Sequence, residues 1–195
     1  MGEMVNNKIL SSFKDRRVLI TGHTGFKGSW LSYILHESGA EVMGYALAPS
    51  QEVNHFSLLG LSDKINDVEA DIRDAEKIGL CMKGFQPEFV FHMAAQALVR
   101  TSYRDPKATF NTNIMGAVNL LEAVRHCESV QSLVFVTSDK CYENNNWVWG
   151  YREEDRLGGH DPYSASKAAA EIVFSAYTRS FFSDRKELGA ASTRA

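Results

Sequence analysis

Arg17-Val18-Leu19-Ile20-Thr21-Gly22-His23-Thr24-Gly25-Phe26-Lys27-Gly28 is the stretch on which the fold turns. Its first five residues, RVLIT, are aliphatic or β-branched around one charge and read as a buried strand. Glycines then recur at every third position, and an amphipathic helical pattern begins at about Lys27. Gly22 allows a sharp turn off the strand, Gly25 lets the backbone approach a ligand closely, and Gly28 permits tight packing of helix on sheet. The free N–H groups at the start of the helix, over Phe26, Lys27 and Gly28, then face a cofactor pyrophosphate. Glycine repeats alone say little; the strand–turn–helix setting gives them meaning. Lys27 has two readings, a point charge for a phosphate or a solvated surface lysine.

Working outward, short β-branched runs alternate with longer helical stretches. The first helix, to Glu37, is expected to bury Trp30, Leu31, Ile34 and Leu35 on one stripe, with Gly39 closing it. Glu41–Leu47 reads as a second strand, His55–Leu59 as a short helix and Lys64–Glu69 as a weaker strand. Asp74 caps a helix to about Lys83, and Pro87 precedes the strand Phe89–His92. Asp105 and Pro106 open a long helix through Thr109, Phe110, Ile114, Val118, Leu121 and Val124. Leu133–Val136 is another buried strand, Tyr142–Asp161 a long polar and aromatic loop, and Tyr163–Phe181 a helix. Ala191–Ala195 looks like a strand that has only begun. This alternation predicts an α/β chain, a Rossmann-type doubly wound parallel sheet with helices on both faces. The expected organisation is a tail over 1–16 followed by one dinucleotide-binding domain over 17–195, cut short where a further strand should join the sheet.

Composition narrows the class. The chain has 195 residues, 44% of them hydrophobic and 23% charged, with a net charge of −3. That is ordinary for a globular protein, and the absence of a basic stripe argues against nucleic acid as a partner. No apolar run is long enough to span a membrane, and Met1–Ser12 is polar and lacks a signal core. Cys81, Cys127 and Cys141 show neither metal-type spacing nor a disulfide framework, so a cytoplasmic protein with no metal site is expected.

The end of the second strand, where an acid would bind the ribose 2′-hydroxyl of NAD and an arginine the 2′-phosphate of NADP, offers only Tyr45-Ala46-Leu47-Ala48. The missing arginine argues mildly for NAD. Asp71 and Ile72, after the third strand, are candidates for the adenine; Asp71 reads equally as a solvated loop carboxylate. Tyr163 and Lys167, four residues apart at the start of a helix, share one face. A tyrosine titrates near pH 10 in water, and a neighbouring ammonium favours the phenolate a proton acceptor needs. Ser138-Asp139-Lys140 sits at the C-terminal end of a strand, where α/β sites form. Asp139 and Lys140 are either an acid–base pair, with Lys140 neutralised by burial, or a strand-end salt bridge.

The glycine turn, His92-Met93-Ala94-Ala95-Gln96, the long helix with Asn113, and the Tyr163/Lys167 pair, in that order, resemble the extended short-chain dehydrogenase/reductase family from Arg17 onward. The resemblance implies that Ala94-Ala95-Gln96 lines bound NAD and that Tyr163 and Lys167 also contact it, Lys167 at the nicotinamide ribose. It further implies that Ser138 helps bind the reacting hydroxyl. Within the family, hexose-nucleotide 4,6-dehydratases carry Thr-Asp-Glu or a relative where this chain has Ser138-Asp139-Lys140. Lysine for glutamate, with the Gly-His-Thr-Gly-Phe-Lys-Gly-Ser-Trp turn and Gln96-Ala97-Leu98-Val99-Arg100, is similar to the branch acting on CDP-glucose. What that branch implies is oxidation at C4 by Tyr163 and NAD, removal of the C5 proton by Lys140, protonation of the leaving 6-hydroxyl by Asp139, and hydride return to C6. Its product would be CDP-4-dehydro-6-deoxy-D-glucose, on the way to dideoxyhexoses of bacterial surface polysaccharide. Arg100 and Tyr103 would lie near the substrate or simply flank a helix. The family grips the substrate nucleotide largely with a C-terminal part that is missing here, so this chain is expected to turn over poorly. Relatives pair through two long helices, so the full-length protein is expected to be a homodimer or larger, with the helices near Thr109 and Ala168 as candidates. The rivals are a UDP-hexose 4-epimerase, which needs no Asp139–Lys140 pair, and a non-catalytic dinucleotide-binding fragment.

Overall fold

The computed structural model describes residues 8–194. Strands β1 (Arg17–Thr21), β2 (Glu41–Ala46), β3 (Asn66–Glu69), β4 (Phe89–His92), β5 (Ser132–Val136) and β6 (Gly189–Thr193) form one sheet in the order β3-β2-β1-β4-β5-β6. Every neighbouring pair is parallel. β1 lies between β2 and β4, so the chain winds outward in both directions from it, and a crevice opens over the carboxyl ends at that switch point. The sheet is covered on both faces, which is why RVLIT is apolar without alternation. Leu19 joins the core under the helices on one face, while Val18 and Ile20 join that on the other.

The principal helices are α1 (Phe26–Glu37), α2 (His55–Leu58), α3 (Ala75–Phe85), α4 (Val99–Arg104), α5 (Pro106–Phe110), α6 (Gly116–Arg125) and α7 (Pro162–Tyr177). Asp74 caps α3 by accepting from Lys77 N at 2.9 Å, and Asp105 caps α5 the same way from Ala108 N at 2.9 Å. The last strand, expected over Ala191–Ala195, begins at Gly189 and pairs with β5 along its whole length; Ala195 lies outside the described residues. Of the expected tail, residues 1–7 also lie outside them. Residues 8–11 form a helical turn, and Phe13 packs on Phe89 with ring centroids 4.9 Å apart.

Two helices differ from expectation, α1 in the phase of its buried stripe and the long helix from Pro106 in its continuity. In α1 the residues facing the sheet are Gly28, Ser29, Ser32 and Leu35, whereas Trp30 and Ile34 are exposed. The cause is the glycine turn. A Cβ on Gly28 would sit 2.2 Å from Gly22 O, so the helix rides closer to the turn than large side chains allow. The inward serines satisfy themselves, Ser32 Oγ donating to Gly28 O at 2.8 Å and Ser29 Oγ to Phe26 O at 3.1 Å. Between α5 and α6 a wider π-helical turn, Asn111–Met115, inserts one residue into the winding. The stripe rotates accordingly, so that Thr109, Asn113, Ala117, Leu120, Leu121 and Val124 are buried while Phe110 is turned outward. Of the apolar residues through which the long helix was expected to run, Leu121 and Val124 are buried and Phe110, Ile114 and Val118 are not fully so.

Candidate active site

One cleft of about 460 Å³ runs over the carboxyl ends of the strands. Its walls bring together the glycine turn, the Asp71-Ile72 segment, Ala94-Ala95, the tip of β5 at Ser138, and Tyr163 with Lys167. These segments are far apart in sequence and meet because β1, β4 and β5 are adjacent and parallel.

At the turn, Gly22 has φ +78°, and a Cβ there would lie 2.7 Å from Ala94 N. Only glycine serves, since both the left-handed backbone and the approach of β4's exit exclude a side chain. α1 has Gly25 at its N-cap, no side-chain cap and no acid in its first turn. Its first N–H groups are therefore left without a capping side chain, and Phe26, Lys27 and Gly28 line the cleft. His23 turns the other way and is fully buried, its Nε2 2.8 Å from Asp67 Oδ1. Burial lowers its pKa, an effect that the Asp67 carboxylate opposes. The ring lies against β2, where a Cβ on Gly44 would come within 2.3 Å of it.

At the far wall of the turn, Tyr45 and Leu47 line the cleft, and Tyr45 donates its hydroxyl to Asp71 O at 2.9 Å. The Asp71 carboxylate is engaged by Arg73, with Nη2 at 2.5 Å and Nε at 3.0 Å, which pulls its pKa down. Ile72 is buried and fills the space left by Gly116, where a Cβ would meet its Cγ2 at 2.6 Å. Gln96 does not line the cleft. Its backbone N–H donates to Asn113 Oδ1 at 2.8 Å and its side-chain amide to Thr109 Oγ1 at 2.9 Å, so it fastens the segment after β4 to the long helix. Asn113 completes that clamp by donating to Gln96 O at 3.0 Å and to Ser166 Oγ of α7 at 2.8 Å.

The exit of β4 is ordered from beneath. Thr21 Oγ1 accepts from Met93 N and Ala94 N at 3.2 Å, which leaves its own proton for His92 Nδ1 at 2.8 Å. Burial, and next the Lys167 charge, push His92 down to about 3, so this imidazole is neutral. Asp161 caps α7, its carboxylate accepting from Ser164 N at 2.9 Å and Ser164 Oγ at 2.6 Å, and sets where Tyr163 and Lys167 emerge. Both are buried to within a tenth of their surface. Burial brings Lys167 down to about 8, helped by Lys27 and opposed by Glu171 and Cys141.

Asp139 and Lys140 do not line the cleft. Ser138 caps a short 3-10 turn, Asp139–Cys141, and its hydroxyl donates to Asp139 Oδ1 at 3.0 Å. Lys140 Nζ is 3.9 Å from Asp139 Oδ2, with side chains 60% and 66% exposed respectively. The burial expected of Lys140 is absent, and an exposed pair of this kind holds little energy. Arg100 and Tyr103 lie on α4 outside the cleft. Sequence reasoning missed Arg73, Met93, Thr112 and Thr137, which line the walls, and Glu171 beneath them. Thr137 beside Ser138, Met93 before Ala94 and Arg73 after Ile72 were legible by position, and Glu171 by its four-residue interval from Lys167; Thr112 carries no local signal.

The family model for GDP-mannose 4,6 dehydratase matches residues 19–184. The chain belongs to that family. Among curated proteins it is 50% identical over 187 residues to the CDP-glucose 4,6-dehydratase of Salmonella typhimurium, covering 94% of this chain and 52% of the relative. It is 32% identical over 176 residues to a UDP-glucose 4-epimerase of Mycolicibacterium smegmatis, covering 90% and 56%. A crystal structure of a dTDP-glucose 4,6-dehydratase double mutant from Streptomyces venezuelae, with NAD and DAU bound, superposes with TM-score 0.78 at 26% identity, covering 91% and 55%. The chain thus spans about half the length of the curated relatives it matches. Their Rossmann fold is the one described above.

Proposed function

We propose that this chain is the cofactor-binding and proton-transfer part of an NAD-dependent enzyme that dehydrates CDP-D-glucose to CDP-4-dehydro-6-deoxy-D-glucose. The observation that carries the chemistry is the single cleft joining a cap-free glycine turn to Tyr163, Lys167 and Ser138. The substrate is argued from the 50% identity to the Salmonella dehydratase, well above that to the epimerases. The reaction would run in the cytoplasm, consistent with three free cysteines. No helix among the described residues is long and apolar enough to cross a membrane.

The walls fit NAD. Gly22 and Gly28 seat the turn and α1 tightly, Gly25 lets the backbone approach the pyrophosphate, the N–H groups of Phe26, Lys27 and Gly28 supply donors, and Lys27 adds a positive charge. Asp71 and Ile72 would flank the adenine, with Asp71 Oδ1 and Oδ2 already committed to Arg73. Ala94 and Ala95 leave the wall flat on the way to Tyr163 and Lys167, and Gln96 holds that segment from behind. Bound NAD supplies a reversible two-electron acceptor next to the sugar.

In this reading Tyr163 Oη accepts the proton of the 4-hydroxyl, and the Lys167 ammonium favours the phenolate that does so. Ser138 Oγ hydrogen-bonds the same hydroxyl and orients it. Once C4 is a ketone the C5 proton is acidic, and Lys140 Nζ removes it while Asp139 protonates the departing 6-hydroxyl. Asp139 and Lys140 follow Ser138, which lines the cleft, and are exposed, so a sugar bound against Ser138 would have to close over them. That covering, by substrate or by protein, would strip water from Lys140 and allow it to act as a base.

The test is product analysis with CDP-glucose and NAD⁺ in deuterated water. Loss of water, deuterium at C5 and transfer of a C4 label to C6 are expected, with Tyr163→Phe lowering the rate by roughly 100- to 10,000-fold. A C4 epimer with no loss of water, or loss of the C4 label to solvent, would overturn the assignment.

A further inference from the structure

Glu171 lies one helical turn beyond Lys167 and two beyond Tyr163, on the same face of α7. It is 3% exposed, a carboxylate within the core, and no step of the proposed chemistry uses it. Every lone pair that matters is satisfied. Oε1 accepts from the hydroxyl of Thr137, the residue before Ser138 at the tip of β5. Oε2 accepts from Ser192 Oγ of β6 at 3.0 Å and from Arg194 Nη2 at 2.9 Å. Arg194 in turn donates through Nη1 to Tyr142 Oη at 2.7 Å and to Glu153 O at 2.8 Å, and its guanidinium lies over the Tyr142 ring at 5.0 Å. Tyr142 stacks on Tyr151 with centroids 5.1 Å apart. One ion pair, buried at Glu171 and partly buried at Arg194, thereby fastens α7, the β5 tip, β6 and the aromatic loop after Asp139-Lys140-Cys141 to one another.

We infer that Glu171, clamped by Arg194, is a positioning residue that keeps Lys167 charged in its buried place and holds the Tyr163–Lys167 face of α7 against the Ser138 strand tip. This rests on the reading of Tyr163 and Lys167 as the proton-transfer pair. A buried carboxylate and a buried ammonium are each costly alone, and their proximity on successive turns offsets part of both costs. The groups facing Lys167 are Tyr163 and Glu171 on its own helix, Cys141 after β5, Lys27 at the start of α1 and neutral His92 at the end of β4. Of these, Lys27 opposes the ammonium and burial opposes it more; the carboxylate of Glu171 is the leading group in its favour. Arg194 competes for the same carboxylate, so it sets how much of that negative charge reaches Lys167.

The test is an NMR titration of the Lys167 ε-carbon in the whole chain, assigned by its loss in Lys167→Met. In Glu171→Gln, which retains the hydrogen-bonding shape without the charge, the midpoint is expected to fall by one pH unit or more below wild type. A folded Glu171→Gln with an unchanged midpoint would overturn the inference, because a purely structural carboxamide-for-carboxylate role predicts no movement. Where Glu171→Gln does not fold, Arg194→Gln is the reading: releasing the carboxylate raises the Lys167 midpoint, and an unmoved or lowered one counts against the proposal. The titration needs neither NAD⁺ nor CDP-glucose, so its outcome stands apart from whether the dehydratase assignment holds.

Discussion

Replacing Gly28 by alanine tests whether the turn and helix are as tightly seated as the cofactor reading requires. The added Cβ would lie 2.2 Å from Gly22 O, 2.8 Å from His23 Cα and 2.9 Å from Gly22 C. All three are backbone atoms, so no side chain can swing away, and α1 must back off from the turn by about 1 Å to reach ordinary contact. Overpacking of this kind costs about 1–3 kcal/mol, which at about 2–4 °C per kcal/mol lowers Tm by roughly 2–12 °C. The same retreat pulls the N–H groups of Phe26, Lys27 and Gly28 off the cleft. Losing one hydrogen bond to a charged phosphate costs about 1.5–3 kcal/mol, a ten- to hundredfold weakening of NAD⁺ binding, roughly. Calorimetric titration with NAD⁺ and thermal unfolding measure both. Gly79→Ala is the control. It lies inside α3 with nothing within 4 Å of the added methyl, and the helix should gain about 0.5–1 kcal/mol. If Gly28→Ala melts and binds like wild type, α1 does not pack on the turn as described, and the argument from its N-terminus fails.

Two further outcomes follow from buried histidines. His92 titrates at 6.5 when unfolded and about 3 when folded, so the unfolded chain takes up a proton that the folded one refuses across that window. Stability is therefore complete above pH 6.5 and declines on acidification by about 1.4 kcal/mol per unit until pH nears 3; urea unfolding at neutral and mildly acid pH should show a steeper loss for wild type than for His92→Gln, and equal slopes would contradict the burial of this ring. Gly44→Ala drives a methyl to within 2.3–2.6 Å of the His23 ring and is expected to cost about 1–3 kcal/mol. Most of that cost should vanish in a His23→Ser background, so additive losses in the double variant would show that the ring does not occupy that space.

Much of this protein was legible from residue order. RVLIT, the triplet spacing of Gly22, Gly25 and Gly28, the capping carboxylates Asp74 and Asp105, and the four-residue interval from Tyr163 to Lys167 are local signals. Each reports a constraint that a strand, turn or helix imposes on its own neighbours, and each element formed where the pattern placed it to within a few residues. The phases of α1 and α5–α6 were not legible. Which side of a helix faces inward depends on how near the sheet allows it to come, and on a π-helical turn that no residue type announces.

The linear chain by itself determined the parallel α/β architecture, the switch-point crevice and the segments that line it, because hydrophobic period, glycine spacing and caps act over a few bonds. Only the tertiary structure decided that Asp139 and Lys140 stand exposed and off the cleft wall, that Gln96 turns to Asn113, and that Glu171 and Arg194 tie four elements together. Burial and charge proximity are properties of three-dimensional neighbours, most of them far apart in sequence. A carboxylate or an ammonium reads the same on paper whether water surrounds it or the core does.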